Sequence, residues 1–335
     1  MTSETTTAAA AGTWQLGDLT VNRMGFGTMR LTQNGAALTT DRTPHDRDRA
    51  IAVLRRAVDL GVNHLDTAAF YFSPMRSANE LINRALGPYP DDLVITTKVG
   101  PGRGPSGDWL DWARPEDLRG QVEENLRQLG RDHLDVVNLR MNGPASIADR
   151  FGALAELRKE GLIRHLGLSN VGADQIADRF GALAELRKEG LIRHLGLSNV
   201  GADQIAEALP IAPVVCVQNR YGIATRRADS DEVLRICGEQ GIAFVPFYAI
   251  AGEGRETGAA AAAAAESEAV SAVAGAHGAS PAQVRVAWTL QRGPHVLAIP
   301  GTGNPDHLTE NVAAAALRLT EDELRLLTEL GQDAG

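Results

Sequence analysis

Eight short apolar runs alternate with amphipathic stretches along the chain, and this alternation limits the possible folds more than any other feature. The runs are Val21–Met29, Val62–Ala69, Leu93–Val99, Leu134–Arg140, Ile163–Ser169, Val214–Asn219, Ile242–Tyr248 and Val296–Pro300. Each has strand length, and helical signals lie between them. Ile51, Leu54 and Val58 share one face at i, i+3 and i+7, and Gly61 supplies the C-terminal stop. Ser77 and Glu80 have capping-box spacing and open a helix that ends at Gly87. Pro115 stands in the first turn of a helix ending at Gly130. Further helices are predicted at Ser146–Glu160, Asp231–Glu239, Ser280 to about Arg292, Pro305–Ala316 and Glu321–Leu330, and Thr13–Leu19 adds one arm of an opening hairpin. Strict βα alternation favours parallel strands with helices outside, and eight units predict an α/β fold of the (β/α)8 TIM barrel type. An open doubly wound sheet would need a GxGxxG after the first strand, and none is there.

Composition narrows the partners. The net charge of −9, without a basic block, gives no grip on phosphate backbones, so no nucleic-acid partner is expected. The run Ala259–Ala265 is far below the roughly 20 apolar residues of a membrane span. Cys216 and Cys237 sit in apolar contexts without CxxC or Cys/His spacing, and the histidines show no metal-ligand pairing. Reduced core thiols in a cytoplasmic protein, and no metal, are the expectation. The opening MTSETTTAAAAG has neither the basic nor the apolar region of a leader peptide. It reads as a disordered tail over residues 1–12, followed by one domain over 13–335.

A second feature cuts across the first. The stretch ADRFGALAELRKEGLIRHLGLSNVGADQIA runs from Ala148 to Ala177 and again from Ala177 to Ala206, a tandem repeat of units 148–176 and 177–205. Each unit is one helix and one strand. A ninth strand changes tilt and shear around a closed barrel, whereas loop closure costs grow slowly with length. Eight strands are therefore expected to survive, with one copy of HLGLSN extruded. The first copy, synthesised earlier, is favoured as the fifth strand. Gly172–Gly190 would then fuse into a longer outer helix. Its Phe180, Leu183 and Leu186 would need cover from the barrel or from a homodimer contact.

In a TIM barrel the chemistry sits at the C-terminal ends of the strands. The second strand exits through Asp66 with Tyr71 five residues on, the third through Lys98, and the fourth through Arg140. A free tyrosine hydroxyl titrates near about 10, too high for an efficient acid at neutral pH. A neighbouring ammonium lowers that value, and a carboxylate can hold the ammonium in place. The trio can therefore protonate a carbonyl oxygen while hydride reaches the carbon.

The segments GFGTMRL, GVNHLDTAAFY, VITTKVG, LDVVNLR, GLIRHLGLSN, VCVQNRYG, GIAFVPFYA and AIPGTGNPDHLTEN resemble the aldo-keto reductase family, in family order from about residue 15 to 325. The wording of LDVVNLR and VCVQN is most similar to a bacterial branch that includes pyridoxal reductases. The resemblance implies an NADPH-dependent barrel, with NADH as the alternative cofactor, that reduces a small aldehyde or ketone. A pyridoxal-like substrate belongs to this expectation. The resemblance makes Asp66, Tyr71 and Lys98 catalytic. It assigns Gly27, Thr28 and Met29 to the cofactor site, and gives the carboxamide of nicotinamide to Gln218 with Ser169–Asn170 or Ser198–Asn199. Phe247 would stack on that ring, and Gly301, Thr302, Gly303, His307, Glu310 and Asn311 would hold the adenosine end. Two positions depart from the pattern. Arg140 replaces the usual histidine, and the lysine and arginine that grip a 2′-phosphate are absent around Gly301 and His307. Arginine cannot act as a neutral donor–acceptor, but it polarises an oxygen or binds an anion. The glycine-rich Gly252–Gly258 is expected to fold over the pyrophosphate, with Arg255 touching it. Two other readings compete with the reductase: an NADPH-binding regulatory or interaction subunit with little turnover, and a Schiff-base lyase built on Lys98.

Overall fold

Local signals start the helices where the residues demand it. The computed structural model describes residues 5–33, 44–73, 75–104, 106–140, 147–169, 188, 195–210, 213–250 and 268–330. Ser77 Oγ accepts from the Glu80 N–H at 3.4 Å and opens the helix Ala78–Leu86. Ser280 and Gln283 exchange side-chain and backbone bonds at 2.8 and 3.3 Å ahead of the helix Pro281–Gln291. Asn304 Oδ1 accepts from the Asp306 N–H at 3.0 Å and opens the helix Pro305–Ala313. Each bond satisfies an N–H that the first helical turn leaves unpaired. At the other end of Leu118–Leu129, Gly130 takes the left-handed φ of 64° that lets the chain turn back into a strand.

The strands form a parallel wall. Phe26–Gly27, His64–Asp66, Val94–Val99, Leu134–Arg140 and Ile163–Ser169 pair in chain order. Leu195–Ser198, Val214–Gln218 and Ala243–Phe244 pair likewise. Parallel bridges from Phe244 to Val296 and from Met24 to Ala298 bring the wall back to its start. Helices such as Arg47–Asp59 bury Val53, Leu54 and Ala57 against its outside. The hairpin Thr13–Leu16 with Leu19–Asn22 packs Leu16, Leu19 and Val21 against Val94, Ala243, Val245 and Leu297. It closes the end of the barrel opposite Lys98.

Three expectations need correction. Neither copy of HLGLSN is extruded. The first is the strand Ile163–Ser169 on Leu134–Arg140, and the second is Leu195–Ser198 on Val214–Gln218. The two lie side by side, with Gly196 Cα 3.7 Å from where a Cβ on Gly167 would stand, yet no ladder joins them among the described residues. Each copy keeps the one neighbour its own flank dictates, so the wall admits a ninth segment by leaving one seam unpaired rather than by re-registering every ladder. The second correction concerns the tail. Ala8–Ala11 forms a 3-10 turn with Ala8 fully buried and its N–H bonded to the Leu60 carbonyl at 2.8 Å, because small side chains fit against the end of Arg47–Asp59. The third is a set of omissions: the short hairpin Phe72–Ser73 with Arg76–Ser77 and the alanine-rich helix Glu268–His277 were not foreseen. The fused helix expected over Gly172–Gly190, with Phe180, Leu183 and Leu186, lies outside the described residues. Among the described residues no helix is long and apolar enough to cross a membrane.

Candidate active site

Asp66 ends a short strand, and Lys98 sits one residue before the end of the next. Their register brings Lys98 Nζ to 2.6 Å from Asp66 Oδ1, with the Thr67 carbonyl at 3.1 Å. Both side chains are more than nine-tenths buried. Behind them, Thr28 donates from its N–H at 2.9 Å and its hydroxyl at 3.1 Å to the Asp66 carbonyl, fixing the strand end. A tight turn then carries the chain to Tyr71, whose N–H bonds to the Ala68 carbonyl at 3.0 Å and whose carbonyl accepts from Ala78 at 2.9 Å. The Phe70 ring meets Tyr71 edge-on at 5.2 Å. Lys98 Nζ lies 5.1 Å from the centre of the Tyr71 ring and hydrogen-bonds its hydroxyl.

Electrostatics at this trio differ from the expectation in one respect. Burial pushes the Tyr71 phenol above its ordinary value, and the Lys98 charge, the next largest influence, only partly pulls it back. Desolvation also works against the Lys98 ammonium, but Asp66 and Tyr71 together outweigh it and keep its pKa high. The resting site is thus a protonated phenol beside a charged, hydrogen-bonded ammonium. A lysine held in that state is a poor Schiff-base nucleophile.

A cleft of about 900 Å³ opens over these groups. Asp66, Tyr71, Lys98 and Arg140 line it together with Gly27, Met29, Ser169, Ser198, Asn199, Gln218, Phe247, Gly301, Thr302, Gly303, His307, Glu310 and Asn311. Thr28 is the exception among the described candidates: it is fully buried behind the wall and braces Asp66 rather than facing the cleft. Asn170, Gly252–Gly258 and Arg255 lie outside the described residues.

The two serines occupy different places. Ser198 is in register with Gln218, and Asn199 donates its N–H to the Gln218 carbonyl at 3.1 Å from a left-handed φ of 58°. Asn219 clamps the following Val200 backbone at 3.1 and 2.6 Å. Ser169 is in register with Arg140 instead. One additional strand therefore separates Arg140 from Gln218. Gln218 Nε2 also reaches Asp66 Oδ2 at 3.3 Å, linking the cofactor side of the cleft to the buried ion pair.

The residues fit a dinucleotide. The cleft has the size of a large ligand site. Its floor near Gly27 and Gly301 is bare backbone, because a Cβ on Gly301 would collide with the Gly27 carbonyl. The capped start of Pro305–Ala313 presents N–H groups suited to an anion beside Thr302 and Gly303. Several lining residues escaped the sequence reading: Arg30, Gln33, His45, Tyr248 and the Ser280–Ala282 turn. Burial, then the charges of Arg49 and Arg30, hold His45 below its ordinary pKa. Tyr248, at a φ of 70°, meets Phe247 edge-on at 4.9 Å. Ser280–Pro281 was legible as a helix start, but nothing in it signalled a cleft.

Residues 23–179 and 176–332 match the model of the Aldo/keto reductase family, in two segments that overlap inside the repeated stretch. The chain is 41% identical over 331 residues to the pyridoxine 4-dehydrogenase of Escherichia coli (strain K12), covering 97% of this chain and 100% of that one. It is 28% identical over 342 residues to a probable aldo-keto reductase 1 of Glycine max, covering 94% and 88%. The crystal structure of an aldo-keto reductase from Klebsiella pneumoniae in complex with NADPH superposes with a TM-score of 0.68 at 25% identity, covering 95% and 94%.

Proposed function

This chain belongs to the Aldo/keto reductase family, and on that premise we propose that Tyr71, Lys98 and Asp66 form the centre at which it reduces an aldehyde or ketone with NADPH. The observation that carries the assignment is the 2.6 Å Lys98–Asp66 pair buried beneath Tyr71 at the floor of the cleft. When bound, NADPH supplies hydride to the carbonyl carbon. The protein does the rest. Tyr71 gives its proton to the carbonyl oxygen, and Lys98 stabilises the phenolate left behind. Asp66 holds Lys98 charged and in place. Ser198, Asn199 and Gln218 are suited to the carboxamide of nicotinamide, and Phe247 to its face. Gly301, Thr302, Gly303, His307, Glu310 and Asn311 are suited to the adenosine end.

A pyridoxal-like aldehyde is the substrate class favoured by the similarity to the E. coli enzyme and by Arg140 at the cleft. Reduced Cys216 and Cys237 suit a cytoplasmic enzyme. A homodimer contact through the repeated segment is open to sedimentation analysis. The central test is Tyr71→Phe. Loss of NADPH absorbance with an aldehyde should fall by about 10²- to 10⁴-fold, the usual contribution of a positioned acid, while NADPH binding, read by fluorescence, stays intact. A variant with the unmodified rate would remove Tyr71 from the mechanism.

A further inference from the structure

We propose that Arg140 and Ser169 form a second oxygen-binding subsite for an anionic oxygen next to the reacting carbonyl, so that ortho-hydroxy aldehydes are the preferred substrates. The proposal rests on Tyr71, Lys98 and Asp66 being the reducing centre, and it assigns roles to two residues beside that centre. Arg140 and Ser169 are register partners on adjacent parallel strands, and both line the cleft that holds Tyr71. Neighbours in register project to the same side of a sheet. The Arg140 guanidinium lies 6.0 Å from the centre of the Phe70 ring, and that ring packs edge-on against Tyr71. Arg140 also exerts a lowering influence on the Tyr71 phenol, which places its charge within reach of the reacting oxygen.

Charge balance points to an anion. Lys98 is matched by Asp66 at 2.6 Å, so Arg140 leaves this end of the cleft with net positive charge. A guanidinium does not exchange protons near neutral pH, so Arg140 cannot share the acid role of Tyr71. Its planar fork is instead built to hold an oxyanion through charge-assisted bonds. Ser169 adds a hydroxyl donor at the same spot. The repeat makes this hydroxyl additional: Ser198 and Asn199 occupy the place beside Gln218, and Ser169 stands one strand away, next to Arg140.

The chemistry of an ortho-hydroxy aldehyde matches. Its ionised oxygen feeds electron density into the carbonyl and weakens it as a hydride acceptor. A cation on that oxygen withdraws the density. The carbonyl carbon still takes hydride from NADPH and its oxygen still takes the Tyr71 proton, while the neighbouring oxygen leaves the reaction unchanged.

The experiment compares 2-hydroxybenzaldehyde with benzaldehyde for the unmodified enzyme and for Arg140→Met, Arg140→Lys, Ser169→Ala and Ser198→Ala. The unmodified enzyme should prefer the hydroxylated aldehyde in kcat/KM by about 10- to 100-fold, as a hydrogen-bonded charge contact implies. Arg140→Met should abolish that ratio whatever it does to the common rate, Arg140→Lys should recover part of it, and Ser169→Ala should lower it several-fold. Ser198→Ala should leave the ratio unchanged. Absorbance of 2-hydroxybenzaldehyde bound without NADPH gives a readout free of turnover. Its phenol should ionise about 1 to 3 pH units lower on the unmodified protein than in water, and not on Arg140→Met. A ratio or a phenolate band that survives Arg140→Met overturns the subsite. An intact phenolate band with no NADPH consumption for either aldehyde overturns the reducing centre instead.

Discussion

Replacing Lys98 by Met strips Asp66 of its cation while leaving the cavity volume nearly filled. The size of the penalty follows from burial. An exposed pair would be worth about 0–1 kcal/mol, but both side chains here are more than nine-tenths buried. Breaking a buried pair by removing one partner costs about 3–5 kcal/mol, because the remaining charge is desolvated and unmatched. The remaining side-chain contact to the carboxylate is Gln218 at 3.3 Å, a neutral amide that cannot replace an ammonium. Removing both charges, as Asp66→Asn with Lys98→Met, leaves no unmatched ion, and the double variant should be more stable than Lys98→Met alone by about 2 kcal/mol or more. Urea unfolding of the four proteins at neutral pH, followed by circular dichroism and completed as a double-mutant cycle, measures the coupling. A Lys98→Met penalty below about 1 kcal/mol, or strictly additive variants, would refute the account of a desolvated, mutually dependent pair. Turnover should collapse in both variants containing Lys98→Met, since the phenolate left by Tyr71 would have no neighbouring cation.

Three further outcomes follow from the same structure. Because burial raises the Tyr71 pKa and reduction uses the protonated phenol, kcat for reduction should stay level from neutral pH to beyond pH 9 and fall only at higher pH, in a profile measured by stopped-flow absorbance. Burial, the largest influence on His64, lowers its pKa from 6.5 to about 4. The unfolded chain therefore binds the extra proton first, and about 3 kcal/mol should be lost as pH falls from 6.5 through 4, a slope that His64→Asn should flatten in urea titrations. Deleting residues 148–176 returns a single Ser-Asn pair to the position between Arg140 and Gln218; the shortened protein should fold with an unbroken wall and bind NADPH, as followed by calorimetry.

Much of this architecture was legible because strand exits obey a simple rule. Asp66, Lys98 and Arg140 close apolar runs, and parallel register alone brings the first two together. Thr28 was misplaced because a threonine at a strand end reads alike whether it faces the cleft or bonds the backbone behind it. The phenol was expected to be lowered because Lys98 is visible in the letters, whereas the burial that outweighs it depends on how the Phe70 turn folds over the site. Tyr248 was missed because nothing in PFYA announces a left-handed residue. The repeat was misjudged for a different reason. Weighing the cost of re-registering a closed barrel omitted the cheaper course, in which two flanks keep their own pairings and one junction stays open.

Identical letters in the two copies now answer to different neighbours. A methyl group on Gly167 would strike the Asn138 amide oxygen, whereas one on Gly196 would meet the Cys216 sulfur at 3.1 Å, a contact a small rotation can relieve. The first glycine is thus sterically locked and the second has latitude. Over many generations the duplicated text should drift apart unevenly, with alanine admitted at the later position well before the earlier one.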